Sequence, residues 1–344
     1  MSSSIHKASL ESRHAVAHTG YAPGIALHKP AILMALLLFV DPKIGFLPRL
    51  YRKTATRFLT FSIVVLSVTG CSPRHLIVQG VANELANQSA AIEDDLVLAR
   101  EASAFYLKLS ESILAQTPGN LKLAEAVSAG FTQYAFAFVA SEADRIETKD
   151  TQAAQKLRER AARLYQRAHR HGMAALEASH PGFAKSLADP DAAKWPSLAE
   201  DQIGVAYWTA ASWGGFISLS KDHPDIVADL PLAIRLAHLA YAINPIHGEG
   251  ALASLMGSYE AARPGGSIRQ ASAYFDQAIA LGAGRNAGAF VGKAESISLP
   301  AQDRTSFEAL LQQALTASRI RRDLSNEVMR ERALWLLENA DDLF

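Results

Sequence analysis

Cysteine is almost missing from this chain. Its 344 residues include one, Cys71, so no internal disulfide can form and no metal site can be built from thiolates. Long apolar runs are scarce too. A helix that crosses a bilayer needs roughly 20 apolar residues, and nothing after Cys71 reads as one. Upstream, Ala31–Val40 is apolar but short, bounded by Pro30 and by Asp41 and Pro42. Strand signals are absent: there is no alternating run of β-branched residues and no Asn-Gly turn. Catalytic signatures are absent as well, with no Gly-x-Ser-x-Gly, no His-Glu-x-x-His and no phosphate-cradling glycine loop. The chain is not expected to be an enzyme, and no cofactor is implied.

Net charge is zero in the sum, with 34 basic and 34 acidic residues, but not along the chain. Residues 1–71 carry eight Lys/Arg against Glu11 and Asp41, a net of +6; the rest carries 26 basic and 32 acidic residues, a net of −6. A mildly acidic main domain lacks the clustered Lys/Arg that displace counterions from phosphate backbones. No nucleic-acid partner is expected.

The surroundings of Cys71 explain the positive start. Arg49, Arg52, Lys53 and Arg57 precede the mostly apolar run Phe58–Val68, and Thr69-Gly70 lead into the cysteine. A basic region, a short apolar region and small residues before a cut make up a secretory signal. With cysteine directly after Val68-Thr69-Gly70, the arrangement resembles the bacterial lipobox, whose cysteine is acylated and becomes the mature N-terminus. The chain thus divides into residues 1–48, 49–70 and 71–344. The first is an unusually long leader or the product of a start assigned too early, with Met34 an internal alternative. The second is a lipoprotein signal peptide, and the third a helical domain. Cys71 is the expected lipidation site.

Residues 71–344 read as all-α. Ala, Leu, Glu, Gln and Arg dominate, and these are good helix formers. Turn residues punctuate the pattern at Thr117–Asn120, Lys149-Asp150, His180–Gly182, Asp189-Pro190, Asp222–Pro224, Asn244-Pro245, Arg263–Gly266 and Leu299-Pro300, which predicts roughly ten to twelve helices with short connections. Ala240, Ala278 and Ala314 recur 38 and 36 positions apart in similar helices, with Phe275 and Leu311 three residues before the last two. A small residue at a helix crossing, a large one a turn earlier and a proline stop approximate a degenerate tetratricopeptide-like repeat. Stacked repeats make an α-solenoid with a concave binding surface.

Three stretches hold candidate ligand-binding residues. Ala124–Ala140 is apolar around its helix, with Val127, Phe131, Tyr134 and Phe138 in one stripe and Gln133 as the polar residue out of place. The second stretch holds Tyr207, Trp208 and Trp213, whose rings with polar edges suit either a groove or a core. In the third, Tyr259 precedes Glu260 and Arg263, which at i, i+3 either pair with each other near the turn or hold a polar ligand group. His169 and His171, with Arg167 and Arg170, read as a solvated basic face. Asp94-Asp95 read as charge placed at a helix N-terminus. No metal ligands stand out.

Several stretches together resemble one family. Gly130–Val139, His180–Phe183, Tyr207–Gly214, Ser218–Asp222, Ser258–Gly265, Glu295–Arg304 and Arg332–Leu337 look like the T component of TRAP transporters, a resemblance covering about residues 70–344 of the chain. It implies a periplasm-facing lipoprotein with a tetratricopeptide-like helical fold, assembling as a homotrimer around a central pore. The implied partner is the periplasmic substrate-binding component of a tripartite ATP-independent transporter, with a hydrophobic or organic-acid solute. Cys71 matches the lipid-anchored cysteine, and Ser72 in place of Asp leans toward the outer membrane. The alternative is a scaffold lipoprotein for envelope assembly with no transported ligand.

Overall fold

The computed structural model describes residues 73–88 and 95–344, and within them there are helices and turns but no strand. They fall in one compact unit, Cys71–Phe344. Cys71 itself, the leader and signal segments, and Asp94 lie outside the described residues.

Seven of the described helices begin where a short polar side chain takes up free backbone N–H groups. After α1 (Pro73–Gln88), α2 (Leu96–Leu114) starts at Asp95, whose carboxylate accepts from Val97 and Leu98 at 2.9 and 3.1 Å. Asn120 caps α3 (Leu121–Tyr134) through Leu123 N at 2.9 Å. A π-helical turn, Ala135–Ala140, then continues without a break into α4 (Ser141–Ile146). Asp150 caps the long α5 (Thr151–Ser179). The middle of the chain holds α6 (Phe183–Ala188), α7 (Ile203–Ser218), α8 (Pro224–Val227), α9 (Leu230–Ile243) and α10 (Ala251–Ala262). Ser267 caps α11 (Ile268–Leu281) and Asn286 caps α12 (Ala287–Lys293), which runs into a second π-helical turn, Ala294–Ser298. Asp303 and Asp323 cap α13 (Arg304–Ile320) and α14 (Leu324–Glu338), and α15 (Ala340–Leu343) ends the chain. The expected turn residues fall between helices, except that Pro224 is the first residue of α8.

Each long helix packs on the one before it, and α3 also reaches α7, α10 reaches α12, and α12 reaches α14. One core joins Leu123, Val127, Phe131, Leu176, Phe183, Ile203 and Leu236. A second, nearer the C-terminus, joins Phe290, Phe307, Leu311 and Leu336. Ala240, Ala278 and Ala314 are fully buried, as are Phe275 and Leu311. That is what a small residue at a close crossing requires.

Pro224–Ile243 is long and apolar enough, by length and composition alone, to cross a membrane, which corrects the expectation that no such stretch follows Cys71. Here it divides into α8 and α9, and Ala233, Leu236, Ala237 and Ala240 are fully buried in the main core.

The last long helix returns to the first ones: α14 packs against α2. This closure sets up the candidate site.

Candidate functional site

Where α2, the α3–α4 helix and α14 converge, they enclose a cleft of about 480 Å³. Its apolar side is made by Leu96, Val97, Ala104, Tyr134, Ala137, Phe138 and Val328; its charged side by Arg100, Glu101, Glu142, Arg145, Glu331 and Arg332. The π-helical turn shapes the apolar wall. Such a turn fits an extra residue into the helix and re-aims the side chains that follow; here Tyr134 and Phe138 meet edge to face with centroids 5.4 Å apart.

Arg332 fixes the floor. Its Nη1 donates to Asp144 of α4 at 2.8 Å, and its Nε and Nη2 donate to Glu295 of the second π-helical turn at 3.1 and 2.7 Å. The guanidinium also lies 4.6 Å from the Trp335 ring centroid. Burial works against its charge, but Glu295 and Asp144 outweigh burial and hold its pKa above the usual guanidinium value. Arg145 sits 3.6 Å from Glu331. Arg100 has no ion-pair partner among the described residues, so its donors are free for a ligand.

A smaller cleft of about 440 Å³ lies between the end of α2 and α5, lined by Glu111, Ser112, Leu114, Ala115, Pro118, His171, Ala174 and Ala175. Glu111 is the centre of its polar wall. It accepts from both Nε and Nη2 of Arg167, from Lys108, and meets His171 Nε2 at 2.7 Å. Burial pushes the Glu111 carboxyl up, yet Arg167, Lys108 and His171 pull it down to about 2.

The chain matches the model of the TRAP transporter T-component family over residues 92–344. It belongs to that family. An uncharacterized protein of Treponema pallidum (strain Nichols) is 24% identical over 262 residues, covering 73% of this chain and 81% of that protein. Membership makes the chain an accessory component of a TRAP transport system with an envelope-associated place in the cell. The T components are accessory transport proteins and not a known class of enzyme.

The residues singled out from the sequence of this T component separate into distinct environments. Tyr134 lines the larger cleft, whereas its neighbour Gln133 is exposed and not part of it. Tyr207 and Trp208 are half-buried and meet edge to face at 4.8 Å, with His247 5.5 Å from Tyr207. Burial pushes the Tyr207 phenol up to about 12. Trp213 is buried and packs 4.3 Å from the His169 ring. Tyr259 is buried and donates to the Ala210 carbonyl at 2.6 Å, bracing α10 on α7. Glu260 and Arg263 pair with each other through two bonds of 2.7 Å, and Glu260 also accepts from Ser267 N at 2.8 Å. Of the two readings open for that pair, the geometry matches the turn-holding one: the carboxylate closes the α10–α11 connection.

The solvated basic face expected around His169 needs correcting. Arg167 and His171 wrap the largely buried Glu111, and His169 turns inward, with Nδ1 buried and without a hydrogen-bond partner among the described residues. The charge of Arg167 and His171 is thus folded against α2, while Arg170 remains exposed. Sequence reasoning missed Arg332, Glu295 and Asp144 as a unit. Two of the three sat in stretches quoted for the family resemblance, but separations of 37 and 188 positions leave no local pattern to pair them.

Proposed function

We propose that this T component is a lipid-anchored, periplasm-facing protein that binds a solute with an apolar body and a carboxylate in the larger cleft. It docks the substrate-binding component of its transporter at the membrane. The observation that carries the reading is the composition of that cleft: an aromatic and aliphatic wall facing three arginines, of which Arg100 alone lacks a carboxylate partner among the described residues. Its volume, about 480 Å³, is in the range of small-molecule sites, which pair a mostly apolar lining with a few polar groups that fix orientation. A guanidinium matches a carboxylate with two parallel hydrogen bonds. Acylation at Cys71 would hold the protein at a membrane, the outer one by the lean of Ser72. Tethering there raises the effective concentration of T component and partner for each other. One acyl chain binds only marginally, so several chains or several subunits are needed for a lasting anchor.

The test is direct. The full chain, purified in mild detergent, is examined by native mass spectrometry for a co-purifying organic acid and titrated calorimetrically with decanoate as probe. Binding that Arg100→Ala and Tyr134→Ala each weaken about tenfold or more supports the reading. No co-purifying solute and no decanoate binding would discard it in favour of a scaffold without a transported ligand.

A further inference from the structure

The larger cleft holds more charge than an apolar acid can answer. Arg332 is held by Asp144 and Glu295, and Glu331 meets Arg330 at 2.9 Å and Arg145 at 3.6 Å. Three charged side chains of the lining then have no ion-pair partner among the described residues: Arg100 and Glu101 on α2, both exposed, and Glu142 on α4, half-buried. One cation stands against two carboxylates. A fatty acid seated on Arg100 would bring a third negative charge into the same cleft and offer nothing to Glu101 or Glu142. Like charges in a partly enclosed cleft repel, and a half-buried carboxylate without a partner is unfavourable.

We propose that the solute is amphoteric: an α-amino acid with an apolar side chain, whose carboxylate meets Arg100 and whose ammonium lies between Glu101 and Glu142. The inference rests on the reading of the cleft as a solute site and adds a second charge to the ligand. An ammonium has three N–H donors and no acceptor, so it can bond to both carboxylates at once through charge-assisted hydrogen bonds. The placement of the residues favours ligand charges on adjacent carbons. Arg100 and Glu101 are consecutive in α2, with Cα atoms about 3.8 Å apart, and both line the cleft. The groups they hold must lie close together too. An amino acid with its charges at the two ends of an apolar chain would have to lay one end against Tyr134 and Phe138. Those rings, with Val97 and Ala137, form the apolar side, and they take the side chain. A plain amine would satisfy the carboxylates and leave Arg100 without a partner.

Calorimetric titration of the full chain in mild detergent, corrected for the detergent alone, compares three probes of one chain length: decanoate, 2-aminodecanoate and decylamine. 2-Aminodecanoate is expected to bind about tenfold or more tighter than either of the others, because it brings one more charged group into hydrogen bonds. Glu101→Gln and Glu142→Gln should each cut its advantage over decanoate several-fold. Neither should weaken decanoate binding, which thereby reports that the variants are folded. Equal affinity for decanoate and 2-aminodecanoate overturns the inference and leaves the cleft as a site for plain acids. A preference that both glutamine variants keep overturns it as well. Decylamine binding as tightly as 2-aminodecanoate would do the same, since Arg100 would then have no part. If none of the three probes binds, it is the reading of the cleft as a solute site that fails, and the amphoteric ligand falls with it.

Discussion

The Arg332 guanidinium donates to the Asp144 carboxylate at 2.8 Å across 188 positions of chain. With Glu295 on its other nitrogens, it joins α4 to the second π-helical turn and holds the C-terminal helices against the N-terminal ones at the floor of the larger cleft. The Arg332 side chain is 15% exposed, and removing it takes their shared partner from two carboxylates that are each 29% exposed, leaving Asp144 with Arg158 alone. Arg332→Met should cost about 3 kcal/mol, measured by chemical denaturation. A cycle with Asp144→Asn should give a coupling of about 1 kcal/mol or more. Additive effects would show that the pair is not a latch.

Acid should loosen the fold in two steps. Burial lowers the His169 imidazole from 6.5 to about 4. The unfolded chain therefore takes up that proton first, and stability complete above pH 6.5 declines as pH falls toward 4. Glu111 is held at about 2 against an ordinary 4.5; its contribution is complete above pH 4.5 and declines below it. Melting temperatures between pH 7 and 3 should fall across both windows. His169→Gln should flatten the upper window and leave the lower, and an unchanged upper window in that variant would contradict the assignment.

Two glycines with positive φ should respond differently to alanine. Gly250 has φ 97°, and a Cβ there would lie 2.5 Å from the Ala278 carbonyl oxygen; Gly265 has φ 72° with open space around it. Gly265→Ala pays only for the left-handed backbone, about 1 kcal/mol, whereas Gly250→Ala must also push α10 from α11 and should cost about 3 kcal/mol. Equal losses in denaturant titrations would mean that the helices give way freely.

The fold was largely legible. Helix boundaries rest on capping residues such as Asp150, Asp303 and Asp323 and on Pro/Gly turns, which are local signals. The site was legible only in part. Tyr134, read as part of an apolar stripe at helical spacing, lines the larger cleft, but Gln133, read as the polar residue out of place, lies on the solvent side of the same helix. The π-helical turns left no readable mark: Ala135–Ala140 has the composition of any buried helix, and only packing shows the extra residue. Arg332 and Asp144 were invisible for another reason, since nothing in a sequence says which charges meet across a closing fold. For His169 the solvated environment read from its charged neighbours was wrong, because α7 places Trp213 against it.

Cys71 lies outside the described residues, and its acylation is testable by itself. Cys71→Ser should move the protein from the membrane to the soluble fraction on cell fractionation, with the melting temperature unchanged. A variant still held at the membrane would point to another anchor.

The two π-helical turns make the cleft sensitive to something other than side-chain chemistry. Each one accommodates a residue that a regular helix would not hold. Deleting a single alanine from Ala135–Ala140 would remove that extra residue and let the helix heal with both flanks in phase, so Asp144 would still meet Arg332 while the wall at Ala137 and Phe138 would be reshaped. A deletion inside the regular α3 would instead rotate everything beyond it by about 100° around the axis and swing Asp144 off Arg332. The closure of this molecule is therefore kept by a residue count: the π-helical turn is a place where a residue can be lost without putting the two ends of the helix out of phase.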